Sequence, residues 1–375
     1  MAGIYIHIPF CKKKCHYCNF YSTPSVKHRD KMVPALLEEL NLQKNYLDET
    51  IDSIYFGGGT PSLLSGDEIN RILDRIQHNF VVSPQPEITL EANPDDINLA
   101  KVKELRSTII NRVSLGVQSF FADDLLYLNR LHAASQSEYA IKSLQDSGYS
   151  NMSIDLIYGI PTLDMASWKE NLLKTIQLDI PHLSAYALTA EPNTNLQVLI
   201  HKRKLAEVSD DHSAQQFRYL MQFMRDTNFE HYEVSNFCLP TFQSKHNASY
   251  WAGIPYLGVG PSAHSYDTKS RQWNCSNLAE YVEKIDSHKV PFTKEVLSLI
   301  NIYNEYIMTA LRTNKGINFA ELARLFSENH LSDFNQLLSK YKDSPLLTIN
   351  AESVSLTDEG FLFADRISSE FFLSD

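Results

Sequence analysis

Apolar positions along the chain change period in a regular way. Short runs rich in β-branched and aromatic residues predict six strands: GIYIHI (3–8), SIYFGG (53–58), EITLEAN (87–93), RVSLGVQS (112–119), NMSIDLIYGIP (151–161) and HLSAYALT (182–189). Between them, apolar residues spaced three and four apart predict helices over 31–47, 66–80, 98–107, 121–130, 135–147 and 165–178. Pro34 places the first turn of the first helix close by. Strand–helix alternation predicts a parallel sheet with helical crossovers. Six units are fewer than the eight of a closed barrel. The expected fold is therefore α/β, a partial (β/α)6 TIM-like barrel, and periodicity leaves a doubly wound sheet open as the alternative.

Past residue 190 the pattern loosens. FEHYEVSNF (229–237) is followed by a stretch that reads as a loop, SKHNASYWAGIPYLGVGPSAHSY (244–266), and by a helix near 277–287. From about 296 two helical stretches, INIYNEYIMTAL and NFAELARLF, precede LLTINAESVSLTDEGFLFADRI. That last segment reads as a β-ribbon turning near Asn350 and a helix capped near Thr357, so the C-terminal domain is expected to be mostly helical and winged-helix-like. The expected organisation is a barrel with a cysteine loop over 1–190, an irregular extension over 191–290 and a C-terminal domain over 291–375.

Composition narrows the function classes. Of 375 residues 43% are hydrophobic, enough for a sizeable core. A formal net charge of -11 argues against a nucleic-acid partner. No apolar run reaches the length of a membrane span, and MAGIYIHIPF lacks the layout of a secretory signal, so a cytoplasmic location is expected. Five cysteines in a reducing compartment are poor material for a disulfide framework. Cys238 and Cys275 stand alone and read as small buried hydrophobes.

Cys11, Cys15 and Cys18 are different, because they fall within eight residues in the spacing C-x3-C-x2-C. Thiolates bind soft metals, and close spacing lets one loop wrap one centre. Zinc would need a fourth ligand, His16 or His7. The other reading is a [4Fe–4S] cluster with three cysteine ligands and one iron left open for a chelating small molecule. Two further features follow predicted strands. Gly57, Gly58 and Gly59 bring unhindered backbone close to a ligand, or simply make a tight turn. Glu91 closes the third strand, where a carboxylate can bind hydroxyls or an ammonium group, or face water. Gln118 and Asp155 occupy equivalent strand ends, and Arg130 is placed on the following helix.

The cysteine motif resembles that of the radical S-adenosylmethionine (SAM) superfamily, in which the amino and carboxylate groups of SAM take the open iron. YIHIPFC, FGGGTPS, RVSLGVQSF, IDLIYGIP and HNASYW together are similar to the branch that holds oxygen-independent coproporphyrinogen III oxidases and heme chaperones of the HemW type. The matches run from Tyr5 to beyond Trp251. The resemblance implies a partial TIM barrel, a [4Fe–4S] cluster on Cys11, Cys15 and Cys18, and SAM. It implies that the backbone of the glycine loop, with Gly58, Gly59 and Thr60, receives the amino group of SAM. It also implies SAM-contacting roles for Tyr5, Tyr17, Glu91, Gln118, Arg130, Asp155 and Ala187.

Within that branch three departures separate this chain from the oxidase pattern. Phe20 stands where the oxidases carry a further cysteine. Cys11 comes almost at once, without the long preceding segment of the oxidases. His246-Asn247-x-x-Tyr250-Trp251 is similar to the H-N-x-x-Y-W signature of the chaperones. A neutral imidazole is a good axial ligand for heme iron, and Tyr250 and Trp251 offer flat surface to a porphyrin. His231 and His264 are the other histidines weighed for the iron. The resemblance thus implies heme as a ligand and respiratory hemoproteins as acceptors. A homodimer, and peripheral contact with the inner face of a membrane through those acceptors, belong to the same expectation. The alternative activity is SAM-dependent decarboxylation of coproporphyrinogen III.

Overall fold

The computed structural model describes residues 1–374. Six parallel strands, β1 (Ala2–Ile8), β2 (Ile51–Gly58), β3 (Val82–Ala92), β4 (Arg112–Gln118), β5 (Met152–Tyr158) and β6 (His182–Ala187), lie side by side in chain order. The connecting helices are α1 (Arg29–Leu42), α2 (Gly66–Asn79), α3 (Leu99–Arg106), α4 (Ala122–Tyr127), α5 (Ala134–Asp146) and α6 (Met165–Gln177). Sequential order decides between the two expected architectures. A doubly wound sheet reverses its strand order at a switch point, and this one does not. The unit is an open, partial barrel, as the strand count implied.

Local chemistry explains the helix boundaries. Ser65 starts α2 with a capping box: its hydroxyl accepts from the Glu68 N–H, and Glu68 accepts the Ser65 N–H in return. The first helix ends at Leu42 rather than 47, and Pro34 lies in its second turn rather than at its start. The fourth ends at Tyr127, because Asn129 adopts a left-handed φ of 63° and turns the chain. Arg130 is therefore in the loop that follows, not on the helix.

Residues 191–296 extend the sheet at both free edges, so the added edge runs past residue 290, where the C-terminal domain was expected to begin. After α7 (Asn195–His201) and α8 (Asp210–Asp226), β7 (Glu230–Glu233) and β8 (Asn236–Cys238) add antiparallel strands beside β6. The helix α9 (Lys245–Trp251) follows, so the HNASYW stretch is helical where a loop was expected. Then β9 (Tyr256–Val259) pairs parallel with β1, and β10 (His264–Tyr266), β11 (Ser270–Asn274) and β12 (Phe292–Val296) continue outward, with α10 (Leu278–Asp286) between the last two. Sequence periodicity missed β9 because a four-residue strand carries too few positions to show alternation.

Glu39 of α1 ties this added edge to the barrel. Its fully buried carboxylate accepts from the Gly260 N–H (2.7 Å), Asn274 Nδ2 (2.6 Å) and the Tyr281 hydroxyl (2.5 Å). Burial still pushes its pKa up to about 7, against the pull of those donors.

The C-terminal unit comprises α11 (Leu299–Leu311), β13 (Ile317–Asn318), α12 (Phe319–Leu325), α13 (Glu328–Ser339), β14 (Leu347–Ile349), β15 (Ser353–Leu356), α14 (Asp358–Phe361) and α15 (Ala364–Glu370). The expected ribbon is β14–β15, turned at Asn350, with β13 as a third strand, and Thr357 caps the helix after it. The unit packs on α8 and β7: the His231 ring lies between Phe237 (4.2 Å) and Phe361 (4.6 Å), beside an Arg218–Glu359 ion pair at 2.8 Å.

Candidate cofactor site

Because the six strands are parallel, their carboxyl ends gather at one rim. The cysteine loop leaves β1 there and is held down along its length. Cys11 N–H donates to Thr23 (3.0 Å), His16 N–H to Leu128 (3.1 Å), and Asn129 Nδ2 to the Lys14 carbonyl (2.9 Å). Lys12 reaches Asp95 at 2.8 Å and also pairs with Asp96, both in the turn after β3. The loop's shape is thus fixed by the protein's own bonds.

Cys11, Cys15 and Cys18 are half-buried, and the Cys11 and Cys18 thiols are raised in pKa, in smaller part by the charge of neighbouring sulfurs. Burial is the larger cause for Cys11 and Cys18. No three His, Cys, Asp or Glu side chains among the described residues converge on a single-ion position. A four-iron cluster takes each thiolate at a separate corner, so its ligands need not converge on one point. Arg130 stands against this group, with Nη1 3.4 Å from Cys15 Sγ, and Tyr17 lies beside it. Arg130 Nε is buried without a partner, a donor left ready for a further acceptor. Three soft thiols, a fixed cation and an unused donor fit a cluster whose open iron holds the carboxylate of a chelating ligand.

The glycine loop shows why it needs glycine. Gly58 has φ +109°, and a Cβ there would sit 2.6 Å from the His7 ring. Its N–H donates to Glu91 Oε2 at 3.2 Å, while Glu91 Oε1 accepts from the Tyr55 hydroxyl at 2.8 Å. Asp155 faces the same interior and accepts from Ser114 Oγ at 3.3 Å. Burial, and for Glu91 the nearby charge of Asp155, raise these two carboxyl groups to about 7 and about 6. They would gain from an incoming cation. Tyr5 stacks on Tyr55 at 6.1 Å and shares a hydrogen bond with His7. Gln118 ends β4 with a left-handed φ of 68°, a strained conformation for a side chain that faces the rim. Ala187 is exposed at the end of β6. The structure places Gly58, Gly59, Thr60, Glu91, Gln118, Arg130 and Ala187 at or beside this rim, whereas Asp155, expected at a strand end, lies in the middle of β5, paired with Ser184 of β6.

His246, Tyr250 and Trp251 lie elsewhere. Glu87, in the lower part of β3, caps α9 by accepting the Lys245 and His246 N–H groups, each at 3.1 Å. This seats the helix under the barrel, at the level of Gly3 and Ser53. The His246 ring is buried; Nδ1 shares a hydrogen bond with Ser53 Oγ (2.8 Å) and Nε2 with the Tyr250 hydroxyl (2.9 Å). Burial lowers its pKa to about 3, so the ring is neutral. It stacks on Tyr55 at 5.0 Å, whose hydroxyl reaches the rim through Glu91. Trp251 lies under Arg312 of the C-terminal unit, 5.2 Å from its ring. The structure thus offers no open nitrogen on His246, the histidine expected to ligate heme iron, because both ring nitrogens are hydrogen-bonded within the fold. His231 is also enclosed, and its Nε2 approaches the Val234 carbonyl. His264 is exposed and makes no hydrogen bond through its ring among the described residues.

Sequence reasoning missed Asn93, Tyr55, Glu87 and Lys12. Asn93 was visible inside EANP, but the other three show their roles only when strands are set side by side.

Comparison with known proteins agrees with this geometry. The radical SAM superfamily model matches residues 5–174, and the HemN C-terminal domain model matches 297–363. The heme chaperone HemW of Lactococcus lactis is 32% identical over 372 residues, spanning 99% of this chain and 97% of that protein. The chain belongs to the HemW family of radical SAM proteins. The HemW of Haemophilus influenzae is 35% identical, spanning 100% of this chain and 98% of its own length. The structure of coproporphyrinogen III oxidase from Escherichia coli superposes over 99% of this chain and 90% of that one, with a TM-score of 0.84 at 22% identity, which establishes the shared fold. Family membership implies a [4Fe–4S] cluster and SAM. Among the described residues no helix is long and apolar enough to cross a membrane.

Proposed function

We propose that this chain is a heme chaperone. It holds a [4Fe–4S] cluster on Cys11, Cys15 and Cys18, binds SAM at the strand-end rim, and carries heme to respiratory hemoproteins. The near full-length similarity to proteins named heme chaperones, together with the HNASYW helix, carries this reading. When bound, the cluster supplies redox chemistry and SAM occupies its open iron. The chain's own residues do the rest. The Gly58 backbone and Glu91 receive the ammonium of SAM, Asp155 adds a second carboxylate, and Arg130 Nε meets the carboxylate group.

Heme is placed at His246, Tyr250 and Trp251. Both His246 nitrogens are already bonded, so iron reaches this ring only when α9 leaves the barrel floor. Trp251 packs under Arg312, so such a movement breaks this contact with the C-terminal unit. His264 is the ligand available without rearrangement. The protein works in the cytoplasm and meets acceptors at the inner face of the membrane.

The test offers anaerobically reconstituted protein heme and, separately, coproporphyrinogen III with SAM and a reductant. A protein-bound Soret band, altered by His246→Ala or by His264→Ala, and no decarboxylated product are expected. Steady formation of protoporphyrinogen IX with no specific heme spectrum would replace the chaperone by the oxidase activity.

A further inference from the structure

The rim contains a hydrogen-bond chain that joins two of the cluster cysteines through residues from two strand ends and one helix end. Thr60 follows β2, Asn93 follows β3, and Arg130 follows α4. Asn93 Oδ1 lies 2.6 Å from Arg130 Nη2, and Asn93 Nδ2 lies 3.1 Å from Thr60 Oγ1. Thr60 Oγ1 is 3.6 Å from Cys11 Sγ, and Arg130 Nη1 is 3.4 Å from Cys15 Sγ. Arg130 Nη2 is also anchored on the Gly116 carbonyl at 2.8 Å. A Cβ at Gly116 would stand 2.9 Å from Gln118 Nε2 and 3.2 Å from Arg130 Nη2, so a side chain there would displace the ends of both.

The polarity of this chain follows from chemistry alone. A guanidinium only donates, so the amide atom of Asn93 that faces Arg130 must be the oxygen. The amide nitrogen then faces Thr60 and donates to it. Thr60 has one proton, and with its oxygen already accepting, that proton is free to point at Cys11. Both ends of the chain therefore donate to sulfur. Hydrogen bonds to cluster thiolates stabilise the more electron-rich state and raise the reduction potential.

We propose that Asn93 is a positioning residue that holds Thr60 and Arg130 as donors on Cys11 and Cys15, and so sets the reduction potential of the cluster upward. The proposal rests on the cluster reading above. The chain places one donor on each of two cysteines from opposite sides of one amide, so a single residue governs both.

The test is an anaerobic redox titration of the reconstituted protein, followed by electron paramagnetic resonance (EPR), on wild type and on Asn93→Leu, Thr60→Val and Thr60→Ser. These uncharged substitutions add no new field at the cluster. Asn93→Leu should shift the midpoint to more negative potential, Thr60→Val should shift it by less, and Thr60→Ser, which keeps the hydroxyl, should restore the wild-type value. The double variant Asn93→Leu/Thr60→Val should shift no further than Asn93→Leu alone, because Thr60 acts through the same amide. Far-UV circular dichroism and iron content confirm that each variant is folded and loaded. A wild-type midpoint in Asn93→Leu, or a double variant equal to the sum of the singles, would overturn the proposal while leaving the cluster in place. Failure of the wild type to hold a cluster would instead overturn the reading on which it rests.

Discussion

At the rim of the barrel, Arg130 Nε is buried without a partner, three thiols are half-exposed, and Glu91 and Asp155 are held towards their neutral forms. At the floor, a few residues lower on the same strands, His246 shares hydrogen bonds with Ser53 and Tyr250, and Glu87 is spent on capping α9. Both regions use carboxylates, hydroxyls and imidazoles. They differ in unused bonding capacity. A buried polar group without a partner costs about 1–3 kcal/mol, a cost that a ligand accepting from Arg130 Nε would offset, whereas the bonds around His246 stabilise the protein without one. Tyr55 spans the two regions, stacking on His246 below and donating to Glu91 above.

The largest expected effect breaks the rim outright. Cys11→Ser should remove the cluster, measured as iron and sulfide per chain, because it replaces one of the three thiolates. Cys275→Ser should leave the cluster intact, since that thiol lies at the far edge of the sheet, beside the Asn277 carbonyl.

Next is Gly58→Val. The left-handed φ and the 2.6 Å approach to His7 make any side chain strained there. A loss of about 1–3 kcal/mol in stability is expected from backbone strain, with SAM binding reduced by an order of magnitude or more in calorimetry. Binding that survives unchanged would move SAM away from this loop.

The pH dependence sharpens the contrast. Glu91 rises from 4.5 to about 7 and Asp155 from 3.8 to about 6. Both folded-state values lie above the unfolded ones, so the folded protein binds more protons between about pH 4 and pH 7. Its stability therefore falls as pH rises through that window, by an amount of order 3 kcal/mol for Glu91. The difference in unfolding free energy between wild type and Glu91→Gln, followed by urea titration, should grow in favour of the variant from pH 5 to pH 8. SAM carries positive charge, so its affinity for the wild type should rise over the same range. Curves that run parallel for the two proteins would show that Glu91 stays ionised throughout.

The smallest effect tests the floor. Ser53→Ala removes one partner of His246 and should cost about 1–3 kcal/mol in urea unfolding. The EPR spectrum of the reduced cluster should not change, because the rim's bonds are separate. A changed spectrum would mean that the two regions communicate through Tyr55.

The six strands and their helices were legible because each barrel unit repeats a pattern long enough to show its period. The rim was legible in part for the same reason: a parallel sheet gathers its strand ends on one side, so Gly58, Glu91 and Gln118 could be placed together before any coordinates, whereas Asp155 falls in the middle of β5 rather than at its end. The floor was not. The position of His246 depends on Glu87 and Ser53, which are 159 and 193 residues away in sequence, and a short helix looks like a loop by periodicity. Asn93 was missed for a related reason, since its role depends on which neighbours its two amide atoms face.

The most direct test of the account is EPR of the anaerobically reduced, reconstituted protein before and after SAM is added, with iron and sulfide measured on the same sample. The account predicts about four iron and four sulfide per chain and a spectrum that changes on adding SAM, because one iron lacks a cysteine ligand. Stoichiometric zinc without sulfide, or a loaded cluster whose spectrum ignores SAM, would contradict it.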